Sequence, residues 1–402
     1  MSDALPLPRH PHLGDYKKLA KDLLKACRST DAAALRAWLE QSVGADQTDW
    51  MERRVRTATI DTLAAAQLFV ARVHGFASWP RFARHVDDLE HTGSPDARFE
   101  EAADAIVSGD IDTVRRLLGE RPDLIRQRSS RDHRSTLLHY VSANGIEDYR
   151  QRTPPNIVEV TRLLLDAGAE VNSESDAYAG HSMTLGLVAT SVHPEAAGVQ
   201  IALMELLLAR GAVIERQPGE AVRGCLANGR PLAAGFLAAQ GAYLDFQNAA
   251  GVGRLDRVEE LVAITPKEEL KKGFVWACAY GHNDVVERLL QYGVDPGAGA
   301  EMTGLHKAAH EGHLDTVKLL LAHNAPLEAK NRHGGTVLGQ TLWSVIHNPL
   351  PAHRAIVEAL VAAGARVGDD WFTGDRSIDE LLHRAQSAGE ETGLLGNHEH
   401  KS

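Results

Sequence analysis

One unit recurs through most of this chain at a spacing that leaves few folds open. Thr303 opens "TGLHKAAHEGH", and Thr336, 33 residues later, opens "TVLGQTL". Upstream, "WACAYGHNDVVERLL" from Trp276 lines up with "KAAHEGHLDTVKLLL" from Lys307. "NAAGVGRLDRVEELV" from Asn248 and "ADAIVSGDIDTVRRLL" from Ala103 fit the same frame, and looser copies begin at Thr136 and Met183. The shared skeleton is T-x-L-x-x-A-A-x-x-G, then V-x-x-L-L, then G-A. Each part has a physical reading. The Thr starts a short helix, and the small Ala pair lets the next unit pack close. Gly312 ends that helix, where a left-handed residue costs little. "VKLLL" supplies the apolar face of a second helix, and "HNAPL" turns the chain back. A single pair of helices cannot bury its apolar faces, whereas stacked neighbours can, so the pattern predicts a solenoid.

These residues resemble the ankyrin repeat, whose T-P-L-H-x-A-A signature the copy at Thr303 nearly spells. The resemblance implies an all-α, ankyrin-like solenoid with short hairpin or loop tips, running over residues 99–375 in about eight units. The fourth and fifth units, around "AVRGCLANGRPLAAGFLAAQGA", are degenerate, and the second carries the insertion "IEDYRQRTPPN". Before the array, residues 1–90 read as a helical domain with apolar positions at helical spacing, and Ser78 stands where an N-cap for "WPRFARHV" belongs. That region, "GFASWP" in particular, resembles the helical segment that precedes ankyrin repeats in bacterial proteins. "HTGSPDAR" (residues 91–98) has the composition of a linker. Residues 376–387 are expected to form a capping helix, and 388–402, with His398 and His400, a disordered tail.

Composition narrows the function. A net charge of -11 argues against nucleic acid and anionic membrane as partners, because phosphate contacts need a surplus of Lys and Arg. Three cysteines lie far apart with no C-x-x-C spacing, the N-terminus lacks an apolar signal region, and no apolar run would span a bilayer. A bacterial, cytoplasmic protein is the expectation. Neither G-x-x-x-x-G-K-[ST] nor G-x-S-x-G occurs, so no catalytic residue, cofactor or metal site is assigned. The "HEGH" motif lacks the i, i+4 pair of a zinc helix. The resemblance places His306 where ankyrin repeats carry a histidine bonded to neighbouring backbone; His139 shares that slot, and His313 and His282 share the one after the Gly.

The resemblance also places binding on the concave face and the tips, since stacking leaves those surfaces free. In the first helix of each unit the concave slots are those of Lys307, His310 and Glu311. Carried along the repeats, they give Tyr140 and Asn144, Trp276 and Tyr280, and Gln340 and Trp343. Aromatic anchors there would hold another protein. An alternative class of function rests on the irregular second and third units. There Glu147, Arg150, Asp176, Tyr178, His181 and His193, with Tyr140 nearby, would form a pocket for a small molecule, with or without turnover. The structural alternative is that Glu147 and Arg150 pair to pin the loop.

Overall fold

The computed structural model describes residues 4–8, 10–29, 32–43, 48–91, 93–299, 301–368 and 371–396. They form two compact units, 1–216 and 217–402, both built of stacked helices. No helix among the described residues is long and apolar enough to cross a membrane.

Among the described residues of the first unit, five helices precede the repeats: α1 (Leu13–Arg28), α2 (Ala32–Val43), α3 (Thr48–Thr57), α4 (Leu63–Val73) and α5 (Trp79–Glu90). Their apolar faces meet in a core that includes Leu23, Leu39, Met51, Phe69, Phe76 and Phe82. The first helix pair is α6 (Pro95–Ser108) with α7 (Ile111–Glu120). In the second pair the inner helix is a 3-10 turn, Leu137–Ser142, backed by α8 (Ile157–Asp166). The third consists of α9 (Thr184–Thr190), the short α10 (Val192–Ala196) and α11 (Gln200–Ala209). A two-stranded hairpin, Glu174–Ser175 against Ser182–Met183, makes the tip before α9.

One sequence expectation needs correction here. The linker placed at 91–98 is half helix: α6 begins at Pro95, capped by Ser94, whose hydroxyl accepts the Ala97 N–H at 3.1 Å. The N-terminal helices also bond to the repeats. The Asp132 carboxylate accepts the Ala77 N–H at 2.7 Å, and the Asp132 N–H donates to the Gly75 carbonyl at 3.1 Å. Ser78 does occupy the N-cap of α5, but its hydroxyl makes no capping bond.

The second unit continues with α12 (Glu220–Ala227) and α13 (Pro231–Ala239), then α14 (Phe246–Gly251) and α15 (Leu255–Leu261). Next come α16 (Lys267–Ala279) and α17 (Asn283–Gln291), α18 (Gly304–His310) and α19 (Leu314–Ala322), and α20 (Val337–His347) and α21 (His353–Ala362). The inner helices stack in the order α14, α16, α18, α20, and the outer ones α15, α17, α19, α21 follow the same order. The last helix, α22 (Arg376–Gly396), runs into the stretch expected to be a tail; His398 and His400 lie outside the described residues.

The recurring residues explain the stacking. Thr303 and Thr336 cap α18 and α20, accepting the N–H of His306 and Gly339 on their hydroxyls. Ala308 and Ala309 are fully buried, which lets the inner helices approach closely. The histidines staple one pair to the next. His306 joins Nδ1 to the Thr303 hydroxyl at 2.8 Å and Nε2 to the Gly335 carbonyl at 3.3 Å. His282 reaches the Gly251 carbonyl at 3.1 Å, His313 the Ala279 carbonyl at 3.0 Å, and His353 the His310 carbonyl at 3.1 Å. "HEGH" is therefore scaffold at its second histidine, which ties α19 back to α16.

Gly281 makes this staple possible. Its φ is +73°, and a β-carbon built on it would stand 2.7 Å from His313 Nδ1. Gly293 has φ +97° with open space around it. Both Gly→Ala changes should cost about 1 kcal/mol for the left-handed backbone. Gly281→Ala should cost about 1–2 kcal/mol more, because the imidazole must leave its carbonyl. Urea unfolding of the two variants measures the difference; equal losses would mean that the staple contributes nothing.

Candidate functional site: a tryptophan-lined basic groove

The inner helices of the second unit form the floor of a groove of about 1340 Å³. Gln247 of α14 lies at one end, Trp276 comes from α16, Lys307 and His310 from α18, and Gln340 and Trp343 from α20. The tips that follow the outer helices make the opposite wall: Gly299, Glu301 and Met302, then Glu328 and residues 330–336, then residues 366–368, with Trp371. Three of the six tryptophans of the chain line this one groove. Trp343 is 47% exposed and stacks on His347 with ring centroids 4.4 Å apart. Trp371 is 37% exposed and lies against Gly339 and Gly368, where added β-carbons would stand 3.5 and 3.3 Å from its ring. Trp276 is half-buried against α14, where Gly251 leaves room for its ring.

The wall is held firmly at Asn331, which is buried. Its side-chain carbonyl accepts the N–H groups of His333 and Gly335 at 2.9 and 3.0 Å, and its amide donates to the Gln340 side chain at 2.9 Å. One tip is thereby fastened to α20, so floor and wall keep a fixed spacing. His310 is likewise fixed, its Nδ1 2.8 Å from the Ser344 hydroxyl.

Of the residues expected on the concave face, Trp276, Lys307, His310, Gln340 and Trp343 come together in this groove. Tyr280 and Glu311 do not line it. The Tyr280 hydroxyl donates to the Leu226 carbonyl and so joins α16 to the end of α12, and burial pushes its pKa up to about 12. Tyr140 and Asn144 belong to the first unit and are corrected below. The groove residues that sequence reasoning missed include Lys271 and Lys272 on α16 and, on the tips, Lys330, Arg332, Arg366 and Trp371. The signal of the tips was present in "EAKNRHGG" and "GARVG", but a tip has no helical period to say which side chains face inward.

In the first unit the residues assigned to an alternative pocket are not gathered. Tyr140, Glu147 and Arg150 are buried, at 0%, 0% and 3% exposure. Tyr140 thus cannot act as a surface anchor, because the 3-10 turn that carries it points it inward against Phe99. Glu147 Oε1 lies 2.6 Å from Arg131 Nε, 3.2 Å from His133 Nε2 and 3.5 Å from Arg150 Nη1. Glu100 Oε2 pairs with Arg131 at 3.0 Å and with Arg150 at 2.8 Å. Arg150 also reaches Asp104 at 2.8 Å, and Arg131 donates to the His74 carbonyl at 2.7 Å. Burial alone would raise the Glu147 carboxyl, but Arg131 and the other cations around it hold it well below the usual carboxylate range.

The remaining members lie elsewhere on the surface. Tyr178, 58% exposed, donates its hydroxyl to Asn144 Oδ1 at 2.5 Å, while Asn144 Nδ2 donates to the Leu187 carbonyl at 3.1 Å. His181 pairs with Glu174 at 2.6 Å, and Asp176 faces Arg134 at 3.9 Å. His193 is half-buried on α10, its pKa lowered by burial. Glu147 thus holds Arg131, which bonds the end of α4, while Arg150 ties the insertion to α6; the irregular second repeat is the part of the array on which the N-terminal helices rest.

Fold and groove define a class: an all-α helical repeat solenoid, here with a groove between its inner helices and its tips. Residues 274–370 match the family model of ankyrin repeats, in three copies. That stretch contains the last six residues of α16 and all of α17 to α21, and with them most of the residues that line the groove. Ankyrin repeats are a general protein–protein interaction module. No curated protein matches the chain.

Proposed function

We propose that the chain is a non-catalytic interaction module that receives a segment of another protein in the groove of its second unit. The observation that carries this reading is the convergence of Trp276, Trp343 and Trp371 on one open groove, two of them more than a third exposed. Half-exposed indoles beside charged and amide groups are typical of binding anchors: they bury a large apolar area at little conformational cost. The groove is larger than the roughly 300–1,000 Å³ common for small-molecule sites, which favours a chain over a compact metabolite. The three free thiols support a reducing compartment, the cytoplasm of a bacterium in our reading. Burial pushes the Cys225 thiol up to about 12, which suits a buried small hydrophobe rather than a nucleophile.

Trp343→Ala should cost about 2 kcal/mol of binding, and Trp276→Ala with Trp343→Ala should lower partner affinity by roughly a hundredfold or more. Affinity capture from the host lysate, wild type beside the double variant, checks this. Circular dichroism and thermal unfolding confirm that the variant is folded. A protein retained equally by both forms would refute the assigned surface.

A further inference from the structure

Resting on that reading of the groove, we infer that its occupant is an acidic segment of the partner protein. The chain as a whole carries a net charge of -11, yet this groove reverses the sign. Among the described residues its lining contains Lys271, Lys272, Lys307, Lys330, Arg332 and Arg366, against Glu268, Glu301 and Glu328. Much of the acid is already engaged. Glu268 pairs with Lys271 at 2.8 Å, Glu301 with Arg332 at 3.2 Å, and Glu328 accepts the Arg366 backbone N–H at 2.9 Å. Lys307, Lys330 and the Arg366 guanidinium have no carboxylate partner among the described residues. One comes from the floor and two from the wall, so the unneutralised cations face the groove from both sides, with the indoles among them.

Low-dielectric walls strengthen such a field locally and draw in the opposite charge. A basic or neutral segment would leave these cations desolvated and unpaired, a cost that sets specificity. A long polyanion such as nucleic acid fits less well, because the acid-rich remainder of the chain would repel it beyond the groove. A short carboxylate-bearing peptide satisfies both conditions. Adjacent packed helices lie roughly 8–10 Å apart, so the floor from α16 through α18 to α20 is about 20 Å across. At about 3.3–3.6 Å per residue an extended occupant has roughly six or seven residues in contact. Its acidic side chains would meet Lys307, Lys330 and Arg366, and its apolar ones Trp276, Trp343 and Trp371.

The test uses the full chain and three fluorescein-labelled nonapeptides: alternating Glu and Leu, the same with Gln for Glu, and the same with Lys for Glu. Fluorescence anisotropy at low salt should show the Glu peptide binding at least tenfold tighter than the Gln peptide, and the Lys peptide weakest. The preference should shrink at 0.3 M NaCl, as screening of these charges requires. Lys307→Glu with Lys330→Glu should abolish the preference for the Glu peptide, while Leu232→Ala, on α13, should leave it unchanged. Equal binding of Glu and Gln peptides, lost with Trp343→Ala, would overturn the acidic assignment and leave the groove as a protein-binding surface. Tighter binding of an oligothymidine of the same charge would overturn it in favour of nucleic acid. Failure of all three peptides to bind would overturn it as well, whereas the interaction reading is decided separately by capture with the tryptophan variants.

Discussion

Glu147→Ala is expected to destabilise the first unit by about 3–5 kcal/mol, among the largest single effects in the molecule. The carboxylate is fully buried between Arg131, Arg150 and His133, and the alanine would leave two guanidinium groups sharing one remaining buried acid, Glu100. An uncompensated buried charge costs far more than a surface ion pair contributes. The damage should be local. Arg131 also holds the His74 carbonyl at the end of α4, so α4, α5 and α6 should lose hydrogen-exchange protection together. The helices α16 to α21 belong to the other unit and should keep theirs. Glu147→Gln retains the shape and should lose less. Unchanged protection in α4 to α6 of the alanine variant would show that the ion network does not hold the N-terminal helices.

Acid should unfold the first unit between about pH 6.5 and pH 4, ahead of any protonation of its buried carboxylates. Burial lowers the His74 pKa to about 4, although the Leu5 carbonyl, 3.1 Å from Nδ1, opposes the shift; the ring stacks on Phe82 at 5.2 Å. Burial likewise lowers His139 to about 4. The sign follows from proton uptake. Above pH 6.5 both imidazoles are neutral in the folded and unfolded chain alike, so the stability does not change with pH. As pH falls through 6.5 the unfolded chain takes up protons that the native one refuses, and each histidine costs up to about 3 kcal/mol by pH 4. Glu147 and Glu100 act in the same direction but in a lower window: their depressed pKa values contribute stability that is complete above the ordinary carboxylate range and is lost as the pH falls through and below it. A urea titration across this window, followed by exchange protection in α4 and in the Leu137–Ser142 turn, reads the slope. His74→Phe should remove about half of it. A flat profile down to pH 4.5 would contradict the assignment.

The sequence revealed the solenoid wherever Thr, the Ala pair, Gly and the leucines coincide, because each has one structural task repeated at a fixed spacing. The same regularity exposed the floor of the groove: Trp276, Lys307, His310, Gln340 and Trp343 follow from alignment of the inner helices. It failed at Tyr140, where the alignment holds but the inner helix is a 3-10 turn, and an outward slot becomes a buried one. It also failed to separate Glu147 and Arg150 from Tyr178 and His181, since proximity in the chain says nothing of which side chains turn inward. Arg131, which joins both halves of the ion network, drew no notice because a lone Arg in a polar loop is ordinarily solvated. The sign of the groove was hidden for a related reason: half of its cations come from tips some 30 residues apart and half from α16 and α18, within a chain whose total charge is negative.

The most direct measurement replaces Trp343 with a photoreactive benzoyl-phenylalanine in the native host and maps the crosslinked species by mass spectrometry. A second protein bears the same group at Leu232, an equally open position on α13 that is 71% exposed and does not line the groove. A discrete protein adduct at position 343, absent at 232, is the predicted result. Adducts that appear equally at both positions, or only at 232, would contradict the groove as the binding surface.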